Sequence, residues 1–290
     1  MKKRILGLLT ALVIGITIVG CKADTSKQAN ASKEAKTSES KAEASSSASV
    51  ADAKTSASIV QDGIVKVYKP SGFTAGEKKK ALFVVGDPRK NSVHYDLVYT
   101  AMRHFEEKGV EVEIRDLYDI KFNPVIQPEE FYNAKDGKGE PSPEVKKEQE
   151  YIKKADYIIF CYPNWHDTPN TIVKGYMEKV FAKKFAYEDT DKGLKGKLTG
   201  KSIYTIMNAG FLGGGRGYIG DGAHIDDAAW DKYMNAFKVM DDDTAAFWGA
   251  ENKGRFVNDR TPKNNSEKYE QEIKELRNAL NSNLDKVFFK

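Results

Sequence analysis

One short loop, predicted to follow a strand, carries four polar residues in succession, Arg89, Lys90, Asn91 and Ser92. A helix is predicted to begin directly after them, and a helix N-terminus presents free backbone N–H groups and the positive end of its dipole. A phosphate group can bind there, with Ser92 and Asn91 as side-chain donors. The loop contains neither a Walker P-loop nor a G-x-G-x-x-G motif. A strand-to-helix turn with a polar cap would have the same residues, so both interpretations stay open.

A second group of candidate residues, Asn164, Trp165 and His166, follows the apolar run 157–162. A flat aromatic side chain in a short polar loop is suited to contact a planar heteroaromatic ring. Two alternatives remain at this stage. Trp165 can simply cover the end of the core, and His166 can be structural or face solvent.

A third loop, residues 208–222, is rich in glycine. Glycines let the backbone approach a ligand closely and present its N–H groups; they include Gly210, Gly213, Gly214, Gly215 and Gly217. Tyr218 and His224 follow. A phenol and an imidazole beside a redox-active ring can stabilise the charge that develops during hydride transfer. The alternative is a loose surface loop without a ligand.

The three loops can act together only if the fold brings them to one place. Strand-like runs occur at residues 81–85, 110–117, 157–162, 202–207 and 244–248. Helical spacing of apolar residues occurs at residues 93–105, 142–155, 172–181, 226–240 and 266–284. Pro163 is predicted to end its strand and Pro169 to lie in the first turn of the next helix. Residues 63–69 are predicted to form a short leading strand.

Strands that alternate with helices predict an α/β domain, a doubly wound five-stranded parallel sheet with helices on both faces. Candidate ligand loops follow the first, third and fourth strands, which suits a flavodoxin-like strand order. In such sheets ligands bind at the carboxyl ends of the strands. The sequence therefore predicts one ligand site at that edge.

The N-terminal part of the chain has the features of a targeting segment. Residues 1–21 consist of a basic start, an apolar stretch and the ending Ile-Val-Gly-Cys, which resembles a bacterial lipobox. This predicts cleavage before Cys21 and lipidation of its thiol, and hence a lipid-anchored protein on the extracytoplasmic face of the cell membrane. An uncleaved membrane anchor is the alternative. Residues 22–58, rich in Ser, Ala and Lys, are predicted to be a disordered tether, and residues 59–290 the folded domain.

Charge and cysteine content exclude some other classes. Lys plus Arg number 46 and Asp plus Glu 42, so the balance predicts no nucleic-acid partner. There are two cysteines, Cys21 and Cys161, and lipidation of the first leaves no disulfide framework. No metal-ligand pattern is predicted.

Several motifs resemble the NAD(P)H:quinone oxidoreductase branch of flavodoxin-like proteins. The matched stretches are residues 87–95, 115–118, 163–169 with Lys174 and Gly175, and 180–181 with 185–187. The P-x-W-x-x-x-P loop that leads to Lys-Gly is the most specific of them. The resemblance covers roughly residues 80–248. It implies bound FAD or FMN, hydride from NAD(P)H, a quinone-like acceptor and a homodimer.

The resemblance also implies roles for individual residues. Those expected to hold the flavin phosphate are Asn91, Ser92 and His94. Those expected to line the isoalloxazine ring are Pro163, Asn164, Trp165 and His166, with Gly210 at its pyrimidine end. Tyr218 and His224 would assist hydride transfer, and Tyr187 would lie near the substrate pocket.

The sequence departs from this family pattern at several positions. Asp87 stands where many members have histidine, and an acid there would repel phosphate. His166 replaces a second aromatic, and the run 213–215 is an insertion. The choice between FAD and FMN stays open. Two rival hypotheses also remain: an extracytoplasmic flavin electron carrier that does not use NAD(P)H, which is scarce outside the membrane, and a flavin-binding lipoprotein without turnover.

Overall fold

The computed structural model describes residues 60–61, 64–65, 67–132, 135–209, 217–219, 228–259, 261–262 and 265–290. The predicted signal segment 1–21 with Cys21 and the predicted tether 22–58 lie outside these residues. Gly210, the glycine run 213–215 and His224 also lie outside them. The backbone of Tyr218 is described, whereas its side chain is not.

Five parallel strands form the central sheet: β1 (Lys80–Val85), β2 (Glu111–Asp116), β3 (Tyr157–Trp165), β4 (Ser202–Ala209) and β5 (Glu251–Asp259). Their order is β2-β1-β3-β4-β5, the doubly wound order of flavodoxin-like folds. All of β1 is buried, as expected for a strand covered on both faces. Two short strands extend the sheet, Thr168–Pro169 against β3 and Gly217–Ile219 antiparallel to β5. The predicted fold class is confirmed.

Five helices cover the two faces: α1 (Val93–Glu107), α2 (Pro143–Lys154), α3 (Thr171–Val180), α4 (Ala228–Trp248) and α5 (Tyr269–Phe288). One apolar cluster packs α1 and α5 against the sheet and includes Phe105 and Leu276. The opposite cluster packs α2, α3 and α4 and includes Val173 and Trp248. Among the described residues, no helix has both the length and the apolar character needed to span a membrane.

The fifth strand lies later in the chain than the sequence pattern predicted. Residues 244–248, predicted as a strand, form the last turn of α4, and β5 follows at Glu251–Asp259. Trp248 is buried there, and its ring stacks on Phe181 with centroids 3.9 Å apart. The apolar run therefore packs a helix end, which Gly249 terminates in a left-handed conformation with φ 72°. Only the carboxyl half of β5 is buried, and charged residues in its first half hid the strand pattern.

The positions of the two prolines around the loop after β3 were also predicted wrongly. β3 continues through Pro163 to Trp165 rather than ending at Tyr162. The Cys161 carbonyl accepts from the Gly86 N–H, so the backbone of Cys161 faces β1. Pro163, two residues later, faces the same side, but β1 has already ended there. Its missing N–H therefore leaves no strand hydrogen bond unmade. Pro169 pairs with Asn164 in a short strand, and α3 begins only at Thr171.

Two β-hairpins lie outside the central sheet, and the sequence pattern predicted neither of them. Val60–Gln61 pairs with Ile64–Val65, where one leading strand was predicted. Tyr187–Thr190 pairs with Gly193–Gly196 in a segment for which no strand was predicted. Polar and glycine residues dominate this second hairpin, so it lacks the apolar alternation of a buried strand.

Candidate active site

The carboxyl ends of β1, β3, β4 and β5 lie side by side and form what we call the rim. Pro163 pairs with Asn208, Asn208 with Asn258, and Asn258 with Tyr218. Neighbouring strands are about 4.8 Å apart, so the Tyr218 backbone lies about 14 Å from that of Pro163. The loops that follow β1 and β3 therefore leave the sheet at one edge, as the sequence predicted, and β4 ends at the same edge.

In the loop after β1, the carboxylate of Asp87 forms an ion pair with Arg89. Asp87 is fully buried, and its Oδ1 accepts from the Arg89 N (2.9 Å) and Nε (3.0 Å), while its Oδ2 accepts from Nη2 (2.9 Å). These hydrogen bonds raise the pKa of Arg89. The Arg89 side chain remains 53% exposed. A phosphate that approaches this loop would meet an ion pair with an accessible guanidinium, not the bare carboxylate that the sequence suggested.

The other polar residues of this loop have distinct roles. Ser92 caps α1 by accepting from the Tyr95 N–H, so the helix-cap interpretation holds for it. Lys90 turns towards the end of β2, where it contacts Asp116 and lies 2.8 Å from Asp119. Asn91 is exposed at the helix N-terminus. The helix end and Asn91 thus face solvent, whereas Lys90 is engaged elsewhere.

His94 lies in the first turn of α1 and is fully buried. Neither ring nitrogen has a hydrogen-bond partner among the described residues. Burial lowers the pKa of His94 to about 4, against a smaller opposing effect of Asp87. The ring is therefore neutral at pH 7 and carries one unused donor and one unused acceptor, an arrangement that costs about 1–3 kcal/mol without a ligand.

The loop after β3 is a β-hairpin, which we call the hairpin tip (residues 164–169). Asn164 pairs with Pro169 and Trp165 with Thr168. His166 and Asp167 form the turn with φ of 55° and 57°, the left-handed values that a two-residue type I′ turn requires. Trp165 is 42% exposed, so it does not cover the end of the core. His166 is exposed at the turn, which agrees with the solvent-facing alternative.

Two asparagines near the hairpin tip have unpaired carbonyl oxygens. Asn164 Nδ2 donates to Asp167 Oδ1 at 3.2 Å, while its own Oδ1 is buried without a partner among the described residues. Asn170, at the N-cap position of α3, donates to the Gly86 carbonyl instead of capping the helix. Its Oδ1 is likewise buried and unpaired within the described chain. An asparagine directly before a helix is a common capping signal, which would have drawn attention to Asn170.

A third asparagine, Asn258 on β5, is 1% exposed. Its Nδ2 donates to Asn208 Oδ1 (2.6 Å) and to the Thr261 carbonyl (2.7 Å), and its Oδ1 has no partner among the described residues. Sequence reasoning missed it because the fifth strand was placed too early in the chain.

Buried polar atoms without partners therefore gather at the rim. Four of the buried side chains with such atoms lie there: His94, Asn164, Asn170 and Asn258. Native proteins leave few buried polar groups unpaired, and a ligand is one way to satisfy them. A group with a phosphate at one end and a hydrogen-bonding heteroaromatic ring at the other fits this set. Within the described ranges, no three His, Cys, Asp or Glu side chains are arranged to hold a metal ion.

The structure describes only some of the remaining predicted site residues. The Tyr218 backbone pairs with Asn258 at the rim, and Gly210 and His224 lie outside the described residues. Tyr187 is half-buried, and its ring centroid lies 4.2 Å from that of Phe247. Tyr187 lines a cavity of about 600 Å³ that Thr168 and Pro169 of the hairpin tip also line. Its role in a substrate pocket stays a prediction.

The chain is similar in sequence to named oxidoreductases. It is 36% identical over 106 residues to a Haemophilus influenzae protein named uncharacterized NAD(P)H oxidoreductase, covering 36% of this chain and 51% of that protein. It is 31% identical over 148 residues to NAD(P)H dehydrogenase (quinone) 1 of Cavia porcellus, covering 46% and 54%. The chain spans about half the length of the curated relatives it matches.

The comparison with solved structures agrees with the fold. The NAD(P)H:quinone oxidoreductase from Methanothermobacter marburgensis superposes with a TM-score of 0.55 at 18% identity, covering 71% of this chain and 98% of that chain. The sequence profile described as flavodoxin-like fold matches residues 79–280, well over half of the chain. The strand order and the matching profile agree, and the chain belongs to the flavodoxin-like fold family.

Proposed function

We propose that this chain is a flavin-dependent oxidoreductase that oxidises NAD(P)H and reduces a quinone-like acceptor. The observation that carries the proposal is the convergence at the rim of an exposed helix N-terminus, an exposed tryptophan and four buried side chains with unpaired polar atoms. The names of the relatives, an NAD(P)H oxidoreductase and an NAD(P)H dehydrogenase (quinone), support the choice of donor and acceptor.

The two ends of the rim suit the two ends of a flavin, FAD or FMN. At the phosphate end, the N-terminus of α1 offers backbone N–H groups, with Asn91, Arg89 and the neutral His94 as side-chain donors. At the ring end, the backbone from Pro163 to His166 would line the isoalloxazine, and Trp165 would cover part of it. The flavin, when bound, supplies the hydride acceptor and donor.

The protein's own part in the reaction is binding, orientation and proton placement. The overall change is NAD(P)H plus H⁺ plus quinone to NAD(P)⁺ plus quinol. Tyr218 and His224 would hold protons at the phenol oxygen and an imidazole nitrogen, where charge develops. We expect Tyr218→Phe with His224→Ala to lower the rate of reduction more than the affinity for flavin. The opposite pattern would remove these residues from the reaction.

An absorbance spectrum with cofactor extraction tests the central proposal. The fragment from about Ala57 should purify with the yellow colour of a flavin and bleach with NADH or NADPH, then recover its colour with a quinone. A yellow protein that dithionite reduces but nicotinamide does not would favour an extracytoplasmic electron carrier. A colourless protein that binds neither FMN nor FAD would refute the flavin site.

The cellular location is a separate part of the proposal. The lipobox-like ending at Cys21 supports lipid anchoring on the extracytoplasmic face of the cell membrane. A Cys21→Ser chain should remain unprocessed and carry no lipid; if it matches the parent in cleavage and membrane binding, lipidation is refuted. The protein is also proposed to form a homodimer, which sedimentation of the flavin-loaded chain would test.

A further inference from the structure

A cavity of about 600 Å³ lies between α3 and α4 on the sheet face opposite α1, and we call it the α3–α4 cavity. Its floor is formed by two neighbouring strands, with Phe160 and Tyr162 on β3 and Ile203 and Thr205 on β4; Phe160 and Thr205 pair directly. Small-molecule sites commonly have volumes of about 300–1,000 Å³ and mostly apolar walls. The size of this cavity is therefore that of a ligand site.

The interior of the α3–α4 cavity is apolar. Its walls include Met177 of α3 and Phe181 just after α3, together with Met240, Phe247 and Trp248 of α4. The rings of Phe181 and Trp248 stack directly on each other. Methionine and aromatic side chains adapt to flexible apolar ligands. The walls therefore favour a hydrocarbon chain over a polar ligand.

The charged residues that line this cavity do not present free charges to its interior. Asp241 forms two hydrogen bonds of 2.7 Å with Arg255. Lys174 lies 2.8 Å from Glu178, one turn along the exposed side of α3. Asp243 is exposed on α4. A hydrocarbon chain would thus displace water from apolar walls without leaving a buried charge unpaired.

One end of the α3–α4 cavity lies against the hairpin tip. Thr168 and Pro169 line it, and these residues pair directly with Trp165 and Asn164 at the rim. Tyr187 lines the same cavity. The cavity thus extends to the hairpin tip, next to the surface on which the proposed redox ring would lie.

We propose, on the basis of the proposed function, that the acceptor carries an apolar chain and that this chain occupies the α3–α4 cavity. The ring of the acceptor lies at the rim beside Trp165, and the chain passes Thr168 and Pro169 towards Phe181 and Trp248. The acceptor class is therefore a lipophilic quinone rather than a small soluble one. Each buried methylene is expected to tighten binding about fourfold.

The test compares two benzoquinones with the same ring, one with a methyl and one with an n-decyl substituent. The flavin-loaded full chain is held in phosphatidylcholine vesicles. Thr244→Phe narrows the cavity, and Ala246→Phe adds the same phenyl group to the exposed side of α4, outside the cavity lining. All three proteins meet the same vesicles, so partition of quinone into lipid cancels between variants.

We expect the KM for the decyl quinone to be at least tenfold below that for the methyl quinone in the parent and in Ala246→Phe. In Thr244→Phe this ratio should fall below threefold, with the KM for the methyl quinone changed less than twofold. Equal KM values for both quinones in the parent, or an unchanged ratio in Thr244→Phe, would overturn the inference. A change of oligomeric state in Thr244→Phe with the ratio intact would also overturn it, because a second copy would then cover the cavity.

A binding measurement separates this inference from the proposed function. Trp248 lines the cavity, so quenching of tryptophan fluorescence reports quinone binding without turnover. If neither quinone is reduced, the proposed function fails. Quenching that favours the decyl quinone in the parent and is lost in Thr244→Phe would still support the cavity assignment, and equal quenching in the two proteins would refute it.

Discussion

Replacing His94 with glutamine should make the protein less sensitive to mild acid. His94 is fully buried, has no hydrogen-bond partner among the described residues, and has a pKa lowered from 6.5 to about 4. The unfolded chain therefore binds a proton more readily than the folded one. A depressed pKa stabilises the fold above pH 6.5, and this stability is lost as the pH falls towards 4.

The size of the effect follows from the two pKa values of 6.5 and about 4. Their difference of about 2.5 pH units sets an upper limit of about 3.4 kcal/mol. Between pH 7 and pH 5 the expected loss from His94 alone is about 2 kcal/mol. Nearby Asp87 and the backbone of Cys161 raise the pKa and Arg89 lowers it, and each of these effects is smaller than that of burial.

The assay is urea unfolding of the full chain at pH 7 and pH 5, followed by tryptophan fluorescence, for the parent and His94→Gln. Groups other than His94 contribute equally to both proteins, so the difference between the two pH-dependent losses isolates the histidine. We expect the parent to lose about 2 kcal/mol more than the variant. A difference below about 0.5 kcal/mol would refute the burial argument.

Three further predictions address the core and the rim. Gly86→Ala should destabilise the fold by about 2 kcal/mol, because the new Cβ would lie 2.3 Å from a valine methyl group of α3; an unchanged urea midpoint would contradict this packing. Glu148→Gln should lower the free energy of unfolding in urea by about 3–5 kcal/mol, because it leaves buried Arg115 without a counter-charge. Arg115 is now paired with Glu148 at 2.9 and 2.6 Å. The control, Glu150→Gln at an exposed position of the same helix, should change stability by less than about 0.5 kcal/mol. Arg89→Met should raise the Kd for FMN at least tenfold, whereas the Kd for riboflavin, which lacks phosphate, should rise less than threefold. Equal losses of affinity for the two flavins in a fluorescence titration would exclude phosphate binding by Arg89.

The sheet and four of its five strands could be predicted because buried parallel strands are short runs of apolar residues. The run at β1 and the alternation at β2 each lead to an observed strand within a residue or two of the predicted bounds. β5 gave no such signal, because its partly exposed first half contains charged residues. The helix end that precedes it is more apolar and was therefore predicted to be the strand. Local pattern could not separate the two, since tertiary packing against Phe181 decides the state of Trp248.

The candidate site was predictable only in outline. Sequence order placed Ser92 and Trp165 in loops at one edge, and the structure brings those loops together. The roles of individual side chains depend on burial and pairing that no spacing encodes. Asp87 is the plainest case, because its charge is cancelled by a residue two positions away. Asn258 was missed because its strand was missed.

The strand Gly217–Ile219 also changes how this domain can meet other copies of itself. It pairs with β5 and so occupies the backbone groups of Val257, Asn258 and Asp259 that would otherwise stay open at that margin of the sheet. At the other margin, the Gly72 N–H donates to the Val112 carbonyl of β2 at 3.1 Å, and Glu113 adds a charge that discourages strand addition. Both features shorten the open strand edge at which another copy could add, which matters most where many chains crowd on one surface.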